Sequence, residues 1–131
     1  MYEILVVDDE TVASKYLKKI LVAKGHSVSV SSNAEGALAK MRSNPFDIIL
    51  LDIRMPGIDG IEILRQIRKC NNHVAIIMLS ALSDESVVDK SLAEGADYFM
   101  VKPADIRELI DDAIPYSILK RSSVDSSIQS D

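Results

Sequence analysis

The chain has 131 residues, a formal charge of −5 and a pI near 5.0. That length supports one domain with a sizeable core and is short for two. The acidic balance argues against nucleic-acid binding by bulk charge, no apolar stretch approaches the roughly 20 residues of a membrane helix, and the start Met1-Tyr2-Glu3 lacks the basic segment of a signal peptide.

Short β-type runs alternate with helical periodicity. Ile4-Leu5-Val6-Val7 reads as a strand closed by Asp8 and Asp9. Ala13, Tyr16, Leu17, Ile20 and Leu21 then follow one face of a helix, and Gly25 stops it. Residues 27–31 alternate around Val28 and Val30, a more polar strand suited to a sheet edge. Ser32 with Glu35 predicts a capping box for a helix carrying Ala37, Leu38 and Met41, which Asn44-Pro45 ends. A third strand covers residues 47–51 and leads to Asp52. Pro56-Gly57 marks a turn, and Asp59 with Glu62 predicts the cap of a helix burying Ile63, Leu64 and Ile67. A fourth strand over residues 74–79 leads to Ser80. Ser83 is the expected cap of a helix anchored by Val88 and Leu92 and stopped by Gly95. A fifth strand, residues 98–101, leads to Lys102. The last helix follows Pro103 and turns Ile106, Leu109, Ile110 and Ala113 inward until Pro115 breaks or kinks it. Residues 122–131 are rich in Ser and Asp and poor in anchors, so residues 1–116 are expected to form the domain and 117–131 a flexible tail or the start of a linker.

The expected architecture is (βα)5, a doubly wound α/β fold with helices on both faces of a parallel sheet. Its consequence is chemical. Asp8, Asp9, Asp52, Ser80 and Lys102 all close apolar runs, so parallel strands gather them at one sheet edge, where open α/β sheets build their sites. Crowded carboxylates repel one another unless a cation or proton intervenes. Mg²⁺ suits such a group, because it takes one or two carboxylates, waters and a phosphate oxygen. Asp9 and Asp52 are candidate direct ligands, Asp8 a ligand through water, and the backbone carbonyl just past Asp52 a further one. An N-cap role accounts for one of the paired aspartates but leaves Asp52 unexplained. Lys102 at a strand end can reach the acidic group as a point charge. Ser80 can donate to a phosphoryl oxygen, although a serine opening a loop is often a turn residue.

Other chemistries lack their motifs. There is no GxxxxGK[ST] loop, no GxGxxG after the first strand, no GxSxG and no CxxC. Cys70, the single cysteine, excludes an internal disulfide framework and fits a reducing compartment, and a cytoplasmic location is expected. His26 and His73 flank strands far apart in sequence and read as turn or edge residues.

Four segments, in order and each at a strand end, carry a specific resemblance: Val6-Val7-Asp8-Asp9-Glu10, residues 51–60 from Leu51-Asp52 through Met55-Pro56-Gly57 to Asp59-Gly60, Leu79-Ser80-Ala81, and residues 95–103 ending in Val101-Lys102-Pro103. Over Met1 to about Tyr116 the chain resembles the receiver domain of two-component response regulators, the chemotaxis-regulator-like family. The resemblance implies a flavodoxin-like strand order 2-1-3-4-5 with the site at the switch between strands 1 and 3, the order for which the chemotaxis regulator is itself the standard example. It implies that Asp52 accepts a phosphoryl group from a histidine kinase, that Asp8 and Asp9 hold Mg²⁺ with the carbonyl of Arg54, and that Ser80 and Lys102 engage the phosphoryl. Phe99 matches the aromatic switch position, and the Lys102–Pro103 bond is expected to be cis. Ser80, Phe99 and Ala104 stand where threonine, tyrosine and phenylalanine are frequent.

The expected function is a phosphorylation-operated switch rather than an enzyme, its chemistry limited to self-catalysed phosphotransfer and dephosphorylation. Expected partners are a sensor histidine kinase or phosphotransfer protein and an output protein or C-terminal output domain, with a changed surface on the fourth helix, fifth strand and last helix. No direct nucleic-acid or membrane contact is expected, and the chain is expected to be a monomer or a phosphorylation-dependent dimer. A stand-alone receiver is favoured over one cut from a longer regulator. A rival, a Mg²⁺-dependent phosphohydrolase with Asp52 as nucleophile, would place a second aspartate two residues on, where Arg54 stands. A flavin or nucleotide carrier on the same fold lacks a phosphate loop.

Overall fold

The computed structural model describes residues 1–55, 58–81 and 85–129, with side chains over 1–53, 59–81 and 85–123. Five parallel strands form the central sheet: β1 (Glu3–Val7), β2 (Ser27–Ser31), β3 (Ile48–Asp52), β4 (Ala75–Ser80) and β5 (Tyr98–Val101). Their order is β2-β1-β3-β4-β5, as the resemblance implied. The half-polar strand β2 lies at one edge, where one side lacks a neighbour; β1, β3 and β4 are buried on both faces and almost wholly apolar.

Alternation along the strands splits the core into two layers. Leu5, Val7, Ile49, Leu51, Ile76 and Met78 point to one side, against the helices α2 (Ala34–Ser43) and α3 (Gly60–Cys70). Ile4, Val6, Ile48, Leu50, Ile77 and Leu79 point to the other. There they meet α1 (Thr11–Ala23) through Leu17 and Leu21, and the last helix through Leu109, Ala113 and Ile114. The expected inward residues of α3 and of the start of the last helix are all found in these layers.

Three helix details differ from expectation. The α2 cap is Asn33, one residue beyond Ser32; its side chain accepts from Gly36 N–H at 2.7 Å. Tyr16 is 60% exposed, and the buried stripe of α1 runs through Ser14, Leu17 and Leu21, leaving the tyrosine hydroxyl in water. In α4 (Glu85–Ala93) the fully buried residue is Ser91, Val87 packs against the core, and Leu92 is exposed. The cap expected at Ser83 lies outside the described residues. Asp59 caps α3 as expected, accepting from Ile61 N–H at 3.0 Å.

The largest difference concerns the C-terminus. Pro115 does not end the last helix, α5, which spans residues 106–129: α-helical over Ile106–Glu108, π over Leu109–Ala113, and α-helical again over Ile114–Gln129. A proline lacks an N–H and its ring crowds the carbonyl four residues back. The π turn, with Ile114 N–H bonded to Leu109 O, widens the helix just before Pro115 and accommodates that ring. Beyond it Ser117 is fully buried and Arg121 nearly so. The packed body thus continues past the boundary expected at residue 116.

Candidate functional site

The C-terminal ends of β1, β3, β4 and β5 meet at one edge. Asp52 and Ser80 are the last residues of β3 and β4; Asp8 and Lys102 follow β1 and β5 directly. Asp8, Asp52 and Ser80 are each 3% exposed or less. Backbone contacts fix the frame. Lys102 N–H donates to Ser80 O at 2.7 Å, and Ile53 N–H donates to Leu79 O at 2.9 Å. Gly60 N–H donates to Ile53 O at 2.8 Å, folding the chain back onto the end of β3. A Cβ on Gly60 would stand 2.5 Å from Ile53 Cα, so only glycine permits this approach.

Lys102 is the hub of the side chains. Its Nζ lies 2.7 Å from Asp8 Oδ2, 2.9 Å from Glu10 Oε1 and 3.1 Å from Asp52 Oδ2. Burial pulls its pKa down, but the bonds to Asp8, Glu10 and Asp52 push it up by more, so the ammonium is held charged above the usual lysine range. Among the described residues, three carboxylates against one ammonium leave the site formally anionic. Asp8 Oδ2 is buried without a hydrogen bond, and its contact with Lys102 Nζ at 2.7 Å is an ion pair.

Among the described residues, the one group of three or more acidic, His or Cys side chains with ligand atoms within 4.8 Å of one another is Asp8, Glu10 and Asp52. Its buried members, Asp8 and Asp52, suit a hard divalent cation: close carboxylate oxygens, negative charge and a buried oxygen without a hydrogen bond. Asp9 is half-buried and outside the group, while Glu10 is inside it. The cause is local. Glu10 N–H donates to Asp8 Oδ1 at 2.9 Å, a turn that brings the residue two positions on back toward Asp8. Glu10 stood in the sequence motif, but its place on Lys102 depends on that turn.

The other expected residues are placed as follows. Phe99 is half-buried and packs against the layer containing Met78 and Ala96. Arg54 pairs with Asp59 in a two-residue antiparallel ribbon just past Asp52. The Lys102–Pro103 peptide is cis. A cavity of about 510 Å³ opens beside the site, walled by Val12, Ala13 and Tyr16 of α1 and by Pro103, Ala104 and Ile106. His26 accepts from Tyr2 N–H at 3.0 Å and stacks on the Tyr2 ring, an edge role as expected. Cys70 is a free, exposed thiol.

A second polar cluster, at the opposite edge of the sheet, was not expected. Asp97 Oδ2 accepts from Ile76 N–H at 2.9 Å and from Arg68 Nη2 at 3.1 Å; its Oδ1 accepts from Arg121 Nε at 2.7 Å. The model of the response regulator receiver domain matches residues 4–114 of this chain. The chain belongs to the response regulator receiver domain family. It is a module of two-component signalling with the chemotaxis-regulator-like fold.

Receiver domains of known structure superpose closely. One from Methanospirillum hungatei, described as CheY-like, has a TM-score of 0.86 at 29% identity, covering 94% of this chain and 98% of that one. TrrA of Thermotoga maritima, solved with Mg²⁺ and BeF, has a TM-score of 0.78 at 38% identity, covering 88% and 99%. Among curated relatives, the probable transcriptional regulator ycf27 of Cyanidium caldarium is 42% identical over 92% of this chain and 47% of its own length. The response regulator ArlR of Staphylococcus saprophyticus is 39% identical over 84% of this chain and 50% of its own. The chain thus spans about half the length of these relatives. No helix among the described residues is long and apolar enough to cross a membrane.

Proposed function

We propose that Asp52 is the phosphoacceptor of this receiver domain, taking a phosphoryl group from a phosphohistidine of a sensor kinase or phosphotransfer protein. In that transfer a carboxylate oxygen of Asp52 forms the new O–P bond as the N–P bond breaks, and the donor imidazole recovers its nitrogen lone pair. The observation that carries this reading is the convergence on one ammonium, within 3.1 Å, of the buried Asp8 and Asp52 carboxylates, beside Ser80 on the next strand. Mg²⁺ would supply charge neutralisation between an anionic donor and an anionic site. Asp8 and Asp52 would hold it, with Asp9 and the Arg54 carbonyl as the further ligands that the resemblance implies.

The residues then divide the work. Lys102 offsets the charge of close to two units that phosphorylation adds. The Ser80 hydroxyl, adjacent on β4, donates to a phosphoryl oxygen. Ser80 and Phe99 shift together, and the surface of α4, β5 and α5 changes for an output protein or an output domain. The apolar wall of Val12, Ala13 and Tyr16 gives the donor protein a surface next to Asp8 and Lys102. The chain is a signalling switch in this reading, with phosphotransfer and its own dephosphorylation as its only chemistry.

The test is incubation with a small phosphodonor, with and without Mg²⁺, followed by intact mass measurement and mapping of the modified residue. One phosphoryl group on Asp52, absent in chelator and in Asp52→Asn, is the expected result. Label on Asp8 or Asp9, or full labelling without a divalent cation, would overturn the assignment.

A further inference from the structure

The Lys102 ammonium stands within 3.1 Å of three carboxylates of very different setting. The Asp8 and Asp52 side chains are 0% and 4% exposed, whereas Glu10 is 64% exposed. The two buried partners are also the oxygens that a divalent cation requires, so cation and ammonium compete for them. Two cations close together in a buried site repel each other. Lys102 must therefore give up Asp8, at least, when a divalent ion enters. Its backbone is tied to Ser80 O and followed by Pro103, so the ammonium moves by side-chain rotation and stays near the site. Glu10 is the one partner of the three that lies outside the buried pair and can keep its bond during the exchange.

We propose that Glu10 is a positioning residue that holds the Lys102 ammonium while Asp8 and Asp52 pass to the divalent cation. The inference rests on the reading of this edge as the Mg²⁺ and phosphoryl site. Its consequence is asymmetric. Without the cation, losing Glu10 leaves Lys102 two partners and costs little. With the cation bound, losing Glu10 leaves the ammonium no carboxylate that it does not share with the cation. Glu10 therefore raises cation affinity by acting through Lys102.

A double-mutant cycle separates this from direct ligation. Mg²⁺ affinity is measured by calorimetric titration on the full chain as wild type, Glu10→Gln, Lys102→Met and the double variant. Glu10→Gln is expected to weaken binding about fivefold in the wild type, the upper range for a partly exposed charge pair, and by less than about twofold when Lys102 is already methionine. A second reading uses the ammonium itself: the Lys102 Nζ–H NMR signal, visible only when held in hydrogen bonds, should persist in the Mg²⁺-saturated wild type and vanish in Glu10→Gln. Equal weakening in both backgrounds would mean that Glu10 is itself a ligand, and no weakening in either would mean that it is an ordinary surface glutamate; each overturns the proposal. Failure of the wild type to bind Mg²⁺ would instead overturn the underlying reading of the site.

Discussion

The two edges of the sheet carry charge clusters of opposite design. At the C-terminal edge, among the described residues, one cation, Lys102, serves three carboxylates. At the N-terminal edge one carboxylate, Asp97, serves two arginines, and Lys120 stands 4.0 Å away. Local excess charge is handled differently at each. Around Asp97 the surplus N–H groups find backbone carbonyls: Arg68 donates to Gly95 O and Val74 O, and Arg121 to Gly95 O and Asn72 O. The cost of crowding persists there, since burial and the nearby Arg121 pull the Arg68 guanidinium down to about 10 against the pull of Asp97. Around Lys102 the surplus is anionic, and a buried oxygen of Asp8 is without a hydrogen bond. A saturated cluster is a fastener; an unsaturated one is a binding site.

Breaking the fastener should give the largest effect. Asp97→Ala leaves two buried arginines facing each other and removes the acceptor of Ile76 N–H, at a cost of about 3–5 kcal/mol. Urea unfolding should show it with or without Mg²⁺. Arg121→Met should cost less, about 2 kcal/mol, because Arg68 still partners Asp97. A chain cut after Tyr116 should lose at least as much, and stability unchanged by that cut would show that Arg121 fastens nothing.

Lys102→Met sharpens the comparison, because its size depends on conditions. The Asp8, Glu10 and Asp52 carboxylates then lose the Lys102 ammonium, destabilising the metal-free protein by about 2 kcal/mol. Millimolar Mg²⁺ should restore the loss, since a ligand that binds only the folded state stabilises it by mass action. Thermal melts of Lys102→Met and Asp97→Ala, each with Mg²⁺ and with chelator, make the contrast direct. A Mg²⁺ rescue of Asp97→Ala, or none of Lys102→Met, would erase the distinction between the two edges.

Gly60→Ala tests the frame behind Asp52. The added methyl meets Ile53 Cα at 2.5 Å and Asp52 O at 2.8 Å, so the chain must shift, at about 1–3 kcal/mol. The phosphorylation rate should fall by more than the loss of folded protein explains, as read from initial rates at a temperature where the variant is fully folded.

The smallest effect lies away from both clusters. Burial, with a smaller contribution from the N-terminal ammonium, lowers the His26 pKa below the ordinary value. The unfolded chain then binds the proton more readily than the folded one. The neutral ring's contribution is complete above about pH 6.5 and is lost as pH falls through the depressed folded value. Melting temperature should drop slightly more between pH 7.5 and 5.5 in the wild type than in His26→Phe, which keeps a stacking ring and does not titrate.

The strands were legible because buried parallel strands read as apolar runs, and a polar residue ending such a run stands out. Asp8, Asp52, Ser80 and Lys102 were found that way. Helix faces were less legible. The spacing in α1 put Tyr16 inward, whereas packing buries Ser14. Glu10 was legible as a motif letter but not as a partner of Lys102, which is 92 residues away in sequence.

Sequence alone determined the element order, the doubly wound sheet and the edge where the chemistry gathers, because periodicity and strand-end polarity are local properties of the chain. Tertiary structure decided which carboxylates share the ammonium, how far α5 runs and what fastens it. Asp97 and Arg121 meet 24 residues apart in sequence, and Asp97 and Arg68 meet 29 apart. Nothing local in a serine-rich segment marks one arginine as buried. Its burial follows from the π turn before Pro115, which lets the helix continue until Arg121 reaches a carboxylate that the sheet has already placed.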